Sequence, residues 1–506
     1  MNFRLTQWHM LALAPLAGAL FSMAFAPYDF SYGIVLSLMF FYYACRRFPQ
    51  RAVTIGYSFG LGVFGLGIWW IYLSVHDAGG ADSLSASLIT LLAVGFFAVF
   101  TALTGILLAR TTALPSAALR VVGSATLWLA IEYLRGYLLL NGFPWLQIAY
   151  SQTATPLAGY APLLGVYGLG FVLALTAFTL VEIAQRQLKL VLSIMFLLVI
   201  WAGGWRLQQI QWTEVAGEPI KISLIQGNIS QDLKWRPEQK RYTLQLYQAM
   251  TQQHWDSQVV IWPETAIPAF LSQVQEFFLQ PLADEAKQHG VDLVVSLPTG
   301  EGKQYYNSAL VSNDLKTLYH KNHLLPFGEY LPLQPLSGWI LDLIEIPLGS
   351  FTPGAAQQTL LKAGGYPFIT TICYEDAFGN EVIRQVKDAA YLLNLTNDAW
   401  FGDSAQPYQH LQMSQMRALE TGRYMVRATN TGVTAFIAPD GRIQSQAPLF
   451  TLFALTDSIV PMQGLTPYAQ WGDLGALLLI LLSCGLVLIG YAVQRRAQKH
   501  TITKPV

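Results

Sequence analysis

Long apolar runs dominate the first 205 residues of the chain, and one more lies close to its end. A helix that crosses a bilayer needs about 20 predominantly apolar residues, and eight runs approach that length. The pattern predicts an α-helical integral membrane domain of eight spans, seven within residues 1–205 and the last within 471–494. The runs lie at about 8–26, 31–45, 52–74, 84–109, 118–139, 158–184, 188–205 and 472–493.

Basic residues mark one side of this membrane domain. In an alternating topology they fall on the same side, while the opposite loops hold little basic charge beyond Arg135. Because cytoplasmic loops are enriched in Lys and Arg, we expect both termini, including a tail of 495–506, to be cytoplasmic. The segment after the seventh span is then periplasmic in a Gram-negative cell. The basic residues are Arg4, Arg46, Arg47, Arg51, Arg110, Arg120, Arg186, Lys189, Arg495, Arg496 and Lys499.

Residues 215–460 have an ordinary globular composition and alternate between short apolar strands and helices. Residues 220–226 alternate in polarity as a strand does, and 259–262 form a short apolar run. Strand–helix alternation of this kind predicts an α/β layered domain. Further strands are predicted at 291–296, 308–312, 316–320, 368–372, 391–394 and 434–438. Helices are predicted at 237–254, 273–289 and 407–421, the last with Met413, Met416 and Leu419 in the core.

Charge and cysteine content narrow the possible functions. The 30 basic and 30 acidic residues cancel, so the chain has no electrostatic footprint for nucleic acid. Of the three cysteines, Cys45 and Cys484 lie in apolar runs, which leaves Cys373 without a soluble disulfide partner. Thiols in oxidising compartments are usually paired. A lone Cys373 is therefore better explained by chemistry than by packing.

Polar side chains follow several predicted strands of the soluble domain. Glu264 ends the apolar run at 259–262, Lys321 follows 316–320, and Cys373 follows 368–372 with Glu375 two residues later. Sites in open α/β folds collect beyond the carboxyl ends of strands. A carboxylate there can take the proton of a thiol, and an ammonium can stabilise a thiolate or an oxyanion. Taken singly, each residue also fits a structural role as a core thiol, a helix cap, a surface lysine or an ion-pair partner.

In the order Glu264, Lys321, Cys373, these residues resemble the Glu-Lys-Cys triad of the nitrilase, or carbon-nitrogen hydrolase, superfamily. Within it, the chain resembles the bacterial apolipoprotein N-acyltransferase branch, whose eight spans around an inserted domain it also matches. This resemblance implies the fold of the superfamily, an αββα sandwich of two packed sheets. The segments that carry the resemblance are 262–268, 321–332, 373–375, 397–402, 427–432 and 464–468.

The resemblance implies a ping-pong acyl transfer in a bacterial inner membrane, without metal or cofactor. Cys373 would take an acyl chain from the sn-1 position of a phospholipid, usually phosphatidylethanolamine. The α-amine of the diacylglyceryl-cysteine of an apolipoprotein would then attack the thioester, and a triacylated lipoprotein would leave. Nothing requires more than a monomer. The implied roles are nucleophile for Cys373, general base for Glu264, oxyanion stabilisation for Lys321 with a backbone amide near Tyr374, and support for Glu329 and Glu375.

Aromatic and apolar positions suggest where the lipid substrates bind. We expect Trp235 and Trp145 to contact the lipid or the lipoprotein, although tryptophan is also a common interfacial anchor. Trp339 and Ile340 belong to an apolar stretch at 333–351, either a lid over the acyl chain or ordinary core.

Two other functions remain compatible with the sequence. The first is a membrane-tethered amide or nitrile hydrolase that uses the same triad and passes its acyl group to water. The second is a transporter with a ligand-binding domain, which needs charges along a membrane pathway. Glu132, Arg135 and Glu182 are the candidates for such charges.

Overall fold

The computed structural model describes residues 6–139, 141–301, 304–330, 332 and 351–502. These residues form two compact units. The helical unit takes its residues from 1–69, 88–210 and 471–506, and the sheet unit takes its residues from 70–87 and 211–470.

The helical unit consists of long apolar helices. Among the described residues, five are long and apolar enough to cross a membrane, or six if the bent pair Pro49–Gly67 and Ile71–Ala78 counts as one span. The first two helices have only 16 and 15 residues, so the eight spans remain a prediction. The long helices are Gln7–Ser22, Gly33–Arg47, Ala52–Gly67, Ser83–Arg110, Ala117–Tyr133, Ala161–Ala184, Leu190–Leu207 and Leu474–Ile502.

The charged residues that the transporter hypothesis requires have internal partners. Glu182 is buried and forms ion pairs with Arg46 and with Arg120, whose Nη2 atom lies 3.1 Å from its Oε2 atom. Glu132 accepts a hydrogen bond from the backbone N–H of Ile148 at 3.0 Å, and Arg135 donates to two backbone carbonyls. These contacts connect parts of the helical unit. Charged side chains with such partners have a structural role rather than one in lining a transport pathway.

The described residues of the sheet unit form two six-stranded sheets. The first has the order β13-β2-β3-β4-β5-β6, and the second has the order β12-β11-β10-β9-β8-β7. In each sheet three central strands are parallel (β2, β3 and β4; β8, β9 and β10), and the outer pairs are antiparallel. In chain order, the strands β1 to β14 are Glu214–Val215, Ile220–Gln226, Val259–Ile261, Asp292–Glu301, Gln304–Val311, Asp314–His320, Leu361–Ala363, Tyr366–Ile372, Tyr391–Thr396, Met425–Thr429, Ala435–Ile437, Ile443–Gln446, Phe453–Ile459 and Met462–Gln463.

The two sheets pack face to face, and helices cover their outer faces. Successive side chains of a strand point to opposite faces: Ile222 and Leu224 join the core between the sheets, whereas Ile225 packs under the helices of the first sheet. Helix Gln406–Thr421 covers the second sheet through Leu411 and Ala418. The result is the αββα layering implied by the resemblance. Among the described residues, the other helices are Ile71–Leu73, Gln231–Lys234, Pro237–Gln252, Leu271–Val274, Gln280–Gln288, Gly379–Val382 and Pro467–Trp471, with short turns at Cys373–Ala377 and Asp398–Phe401.

Residues 70–87 belong to the sheet unit although they come from the first part of the chain. The indole N–H of Trp70 donates to the Oε1 atom of Gln409 at 3.2 Å, and its ring meets the ring of Phe401 edge-on at 5.0 Å. The helix that begins at Ala52 ends at Gly67. The predicted span of 52–74 covers most of the bent helix pair Pro49–Gly67 and Ile71–Ala78, and its boundaries stay a prediction.

Candidate active site

Cys373 lies at a sharp turn directly after β8. Its φ is 53°, in the left-handed region that residues with a Cβ rarely adopt. Strain of this kind costs about 1–3 kcal/mol and persists only where surrounding contacts impose it. Here the Asn394 side chain donates to the Cys373 carbonyl oxygen at 3.1 Å, and the Nε2 atom of His410 lies 3.3 Å from the same oxygen. The turn leaves Cys373 partly exposed.

Glu375 connects this turn to the loop that carries Lys321. Its carboxylate accepts hydrogen bonds from the backbone N–H groups of Ile372, Asn322 and His323 at 2.7, 2.6 and 3.0 Å, and from the Tyr319 hydroxyl at 2.8 Å. An ionised carboxylate can accept all four donors. Burial nevertheless raises the pKa of Glu375, an effect that Lys321 and the donors oppose. The hydrogen-bonding capacity of the carboxylate is used to fix the backbone of these two segments, which is a positioning role.

Lys321 is buried between two carboxylates. Its Nζ atom lies 2.9 Å from the carboxylate of Glu329 and 3.8 Å from the Oε1 atom of Glu264. The Asn307 side chain donates to Glu264 at 2.8 Å and to Glu329 at 3.4 Å. Burial favours the neutral amine, but Glu329 and Glu264 outweigh it and raise the pKa of Lys321. Lys321 is therefore an ammonium group held in a fixed position.

Glu264 has the properties of a base in this site, and Cys373 those of the acid that would lose its proton to it. Burial raises the pKa of Glu264, partly against the effect of Lys321, and makes its carboxylate a stronger base. Burial and the charge of Glu264 also raise the pKa of the Cys373 thiol, so the sulfur is protonated at rest. A thiol in this state becomes a nucleophile when a neighbouring base takes its proton. Glu264 has the environment of such a base.

Sequence comparison gives two consecutive matches along the chain. Residues 17–179 match the family model described as the apolipoprotein N-acyltransferase N-terminal domain, and residues 221–460 match the carbon-nitrogen hydrolase model. An apolipoprotein N-acyltransferase of Methylococcus capsulatus is 47% identical over 497 residues, which cover 97% of each chain. One of Nitrosomonas europaea is 42% identical, covering 93% of this chain and 94% of its own. The chain belongs to the apolipoprotein N-acyltransferase family.

A solved structure, Saccharomyces cerevisiae Nit3 of the nitrilase superfamily, also matches. It is 18% identical, with a TM-score of 0.37, and the match covers 49% of this chain and 92% of that one.

The remaining site predictions for this N-acyltransferase family member fall in different places. Tyr374 is buried beside Cys373, and its ring meets that of Phe378 edge-on. Trp235 is partly exposed at the end of helix Gln231–Lys234. Trp145 is buried in the helical unit, where its carbonyl oxygen accepts a hydrogen bond from Arg135 at 2.6 Å, and its contact with substrate stays a prediction. The predicted lid residues Trp339 and Ile340 lie outside the described residues.

A buried charge cluster beneath Cys373 was not predicted from the sequence. The two ring nitrogens of His410 lie 2.9 Å from Asp376 and 3.1 Å from Asp398, and Arg427 donates to Asp398 at 2.9 Å. Burial and Arg427 lower the pKa of His410, but the two carboxylates outweigh them and raise it. With His410 protonated, two cations balance two anions. The cluster therefore fixes the carbonyl oxygen of Cys373 without a net buried charge.

Lys234 was also missed, because one lysine in a polar stretch carries no distinguishing pattern. It is buried, and its Nζ atom donates to the backbone carbonyl oxygen of Glu264 at 3.2 Å. Among the described residues, no group of three or more His, Cys, Asp or Glu side chains could hold a metal ion.

Proposed function

We propose that this protein transfers an acyl chain from a membrane phospholipid to the N-terminal amine of diacylated apolipoproteins. Family membership supports the lipoprotein substrate and the acyl-transfer class. The observation that carries the mechanism is the electrostatic coupling of the partly exposed Cys373 thiol to a carboxylate of raised basicity and a fixed ammonium, Glu264 and Lys321, which lie 3.8 Å apart. In this proposal Cys373 is the nucleophile, Glu264 the general base and Lys321 the cation that stabilises the oxyanion.

The first half-reaction forms a thioester. Glu264 takes the Cys373 proton while the sulfur attacks the ester carbonyl carbon of the phospholipid, and the carbonyl oxygen becomes negative. Lys321 is suited to stabilise that oxygen, because Glu329 and Glu264 hold its ammonium in place before substrate arrives. The intermediate then expels the glycerol oxygen, which receives the proton from Glu264. A lysophospholipid leaves, and Glu264 is again ionised.

The second half-reaction reverses these roles. The neutral α-amine of the apolipoprotein attacks the thioester, and Glu264 accepts a proton from the nitrogen as the amide forms. The thiolate of Cys373 leaves and recovers the proton from Glu264. No atom or electron has to come from a metal or an organic cofactor.

We further propose that the donor is phosphatidylethanolamine, used at its sn-1 position, and that a monomer carries out the reaction. The site would be in the periplasm of a bacterial cell, with eight spans in the inner membrane and both termini in the cytoplasm. The distribution of basic residues and the long apolar helices support this placement. Both substrates are bilayer lipids, so membrane anchoring keeps them within reach.

The decisive experiment separates the two half-reactions by intact-mass measurement. Purified protein in detergent is incubated with phosphatidylethanolamine and no acceptor, beside Cys373→Ala. We expect the wild type to gain one acyl chain that hydroxylamine removes, and the variant to gain none. Addition of a diacylated lipopeptide should discharge the chain into a triacylated product.

Two further results would redirect the proposal. Release of free fatty acid, with no mass gain and no lipopeptide product, would favour the hydrolase alternative. If folded wild type shows neither acyl-enzyme nor fatty acid, the proposed acyl transfer is wrong. Lys321→Met, which removes the proposed oxyanion cation, should reduce acyl-enzyme formation. Lys316→Met should not, because Lys316 is an exposed lysine on β6, the strand that ends just before Lys321.

A further inference from the structure

Lys234 is a buried cation whose environment differs from that of Lys321. Its side chain is only 4% exposed, yet no carboxylate of the described residues lies within ion-pair distance of its Nζ atom. Its acceptor is the uncharged backbone carbonyl of Glu264. Burying an ammonium without a counter-ion is costly. Such a residue is more informative about function than a paired one.

The position of Lys234 is fixed by loops at the same end of the sheets as Cys373. The Asn430 side chain forms two hydrogen bonds with the backbone of Ile229. Its oxygen accepts from the N–H at 2.9 Å, and its nitrogen donates to the carbonyl oxygen. The Asn397 side chain donates to the side chain of Gln231 at 2.8 Å. These contacts hold helix Gln231–Lys234 against the segments that follow β9 and β10.

Charge balance indicates what the second lysine contributes. Glu264, Glu329 and Lys321 together carry one net negative charge, which opposes further negative charge nearby. Lys234 interacts electrostatically with both Glu264 and Cys373. When the proton of the thiol moves to Glu264, the negative charge moves from one of these partners to the other. A cation that interacts with Cys373 lowers the free energy of its thiolate, the form that attacks an electrophile.

We propose that Lys234 is a second cation of the active site, which stabilises the negative charge that Cys373 acquires when its thiol loses a proton. The proposal rests on the proposed function in taking Cys373 as the nucleophile. Burial lowers the pKa of Lys234 to about 8, although Glu264 and Cys373 oppose this effect. Lys234 is therefore mostly charged at neutral pH and loses its charge in mildly alkaline solution.

The test measures Cys373 reactivity without any lipid. Iodoacetamide alkylation of the intact protein in detergent is followed by peptide mass spectrometry, which separates Cys373 from Cys45 and Cys484. We expect Lys234→Met to slow alkylation at pH 7 about tenfold or more, the effect of removing one nearby unit charge in a partly buried site. Lys234→Arg should stay within about threefold of wild type because it keeps the charge. Lys287→Met, which removes an exposed lysine, should change nothing.

The pH dependence provides a readout that a purely structural role would not alter. The advantage of wild type over Lys234→Met should shrink as the pH rises through about 8, where Lys234 loses its proton, while the advantage of Lys234→Arg should persist. If Lys234→Met loses its thermal unfolding transition, Lys234→Gln replaces it, since its amide can still donate to the Glu264 carbonyl. A folded uncharged variant that alkylates at the wild-type rate would overturn the proposal. Failure of wild type to form a thioester would instead overturn the acyl-transfer function, because alkylation requires no phospholipid.

Discussion

The Oε1 atom of Glu375 lies 2.6 Å from the backbone nitrogen of Asn322, the residue that follows Lys321. The other oxygen of the same carboxylate accepts from the backbone N–H of Ile372, the residue before Cys373. One side chain thus joins the two segments that present the proposed nucleophile and the proposed oxyanion cation. Glu375 therefore helps to set the distance between these two segments.

The substitution Glu375→Gln tests whether this carboxylate positions the two segments. Glu375 meets four donors, so the amide group of Gln would place an N–H against another donor. We expect a loss of about 1–3 kcal/mol in the free energy of unfolding and a larger fall in the rate of acyl-enzyme formation. Thermal unfolding and single-turnover mass measurements check the two effects. Glu381→Gln, which changes a carboxylate bonded to the side chains of His323 and Arg384 rather than to backbone, is the matched control. Wild-type turnover in Glu375→Gln would refute the positioning role.

His410 should make stability depend on pH above its ordinary pKa. Its pKa is raised in the folded state because Asp376 and Asp398 outweigh burial and Arg427. Protonation therefore favours folding, with the full contribution below the ordinary pKa of about 6.5 and loss of it as the pH rises through the folded pKa. The unfolding temperature should fall over that rise in wild type and much less in His410→Gln. His289→Gln, at an exposed position, should behave as wild type; an unchanged slope in His410→Gln would contradict the assignment.

Gly432 packs against Asp398 of the same charge cluster, and the close approach requires a residue without a Cβ atom. A Cβ atom there would lie 2.3 Å from the Oδ2 atom of Asp398, the atom that accepts from Arg427. Gly432→Ala should therefore displace Asp398, cost about 1–3 kcal/mol of unfolding free energy and slow acyl-enzyme formation. Gly65→Ala is the control, since a Cβ atom at that helical position meets nothing within 4 Å. Equal stability of the two variants would show that the cluster tolerates displacement.

Trp70 should contribute to the stability of the sheet unit although it is far in sequence from the rest of that unit. Trp70→Ala removes both the hydrogen bond to Gln409 and the edge-on contact with Phe401. We expect a destabilisation of about 2–4 kcal/mol and a weaker acyl-enzyme signal, because Phe401 and Gln409 flank the cluster formed by Asp398 and His410. Trp205→Ala, at a residue 56% exposed, controls for the loss of a tryptophan. A Trp70→Ala variant as stable as that control would indicate that the contact contributes little.

Local patterns were sufficient to predict the parts of the sheet unit that obey them. The strand at 220–226 was predicted from its alternating polarity and the strand at 391–394 from its strand-like run, and Met413, Met416 and Leu419 are buried as expected. Glu264, Lys321 and Cys373 could be selected because each follows such a strand. The family resemblance then supplied their proposed roles, which geometry alone does not test.

Other features depend on contacts that have no local pattern. β10 was missed because the charged Arg427 lies in its middle, where Asp398 from another segment neutralises it. The cluster of Asp376, Asp398, His410 and Arg427 draws one side chain from each of four separate elements. No spacing along the chain links those residues, so only the tertiary structure could reveal them.

The contribution of residues 70–87 to the sheet unit has a consequence for biosynthesis. The unit is discontinuous, since residues 88–210 separate this segment from the rest. During synthesis Trp70 emerges long before Gln409, so its partners are absent until most of the chain has been translated. A truncated protein that starts at residue 211 would expose the ring of Phe401 and leave the amide of Gln409 without the indole. Expression trials of the isolated domain should therefore supply residues 70–87 as a fused or added peptide.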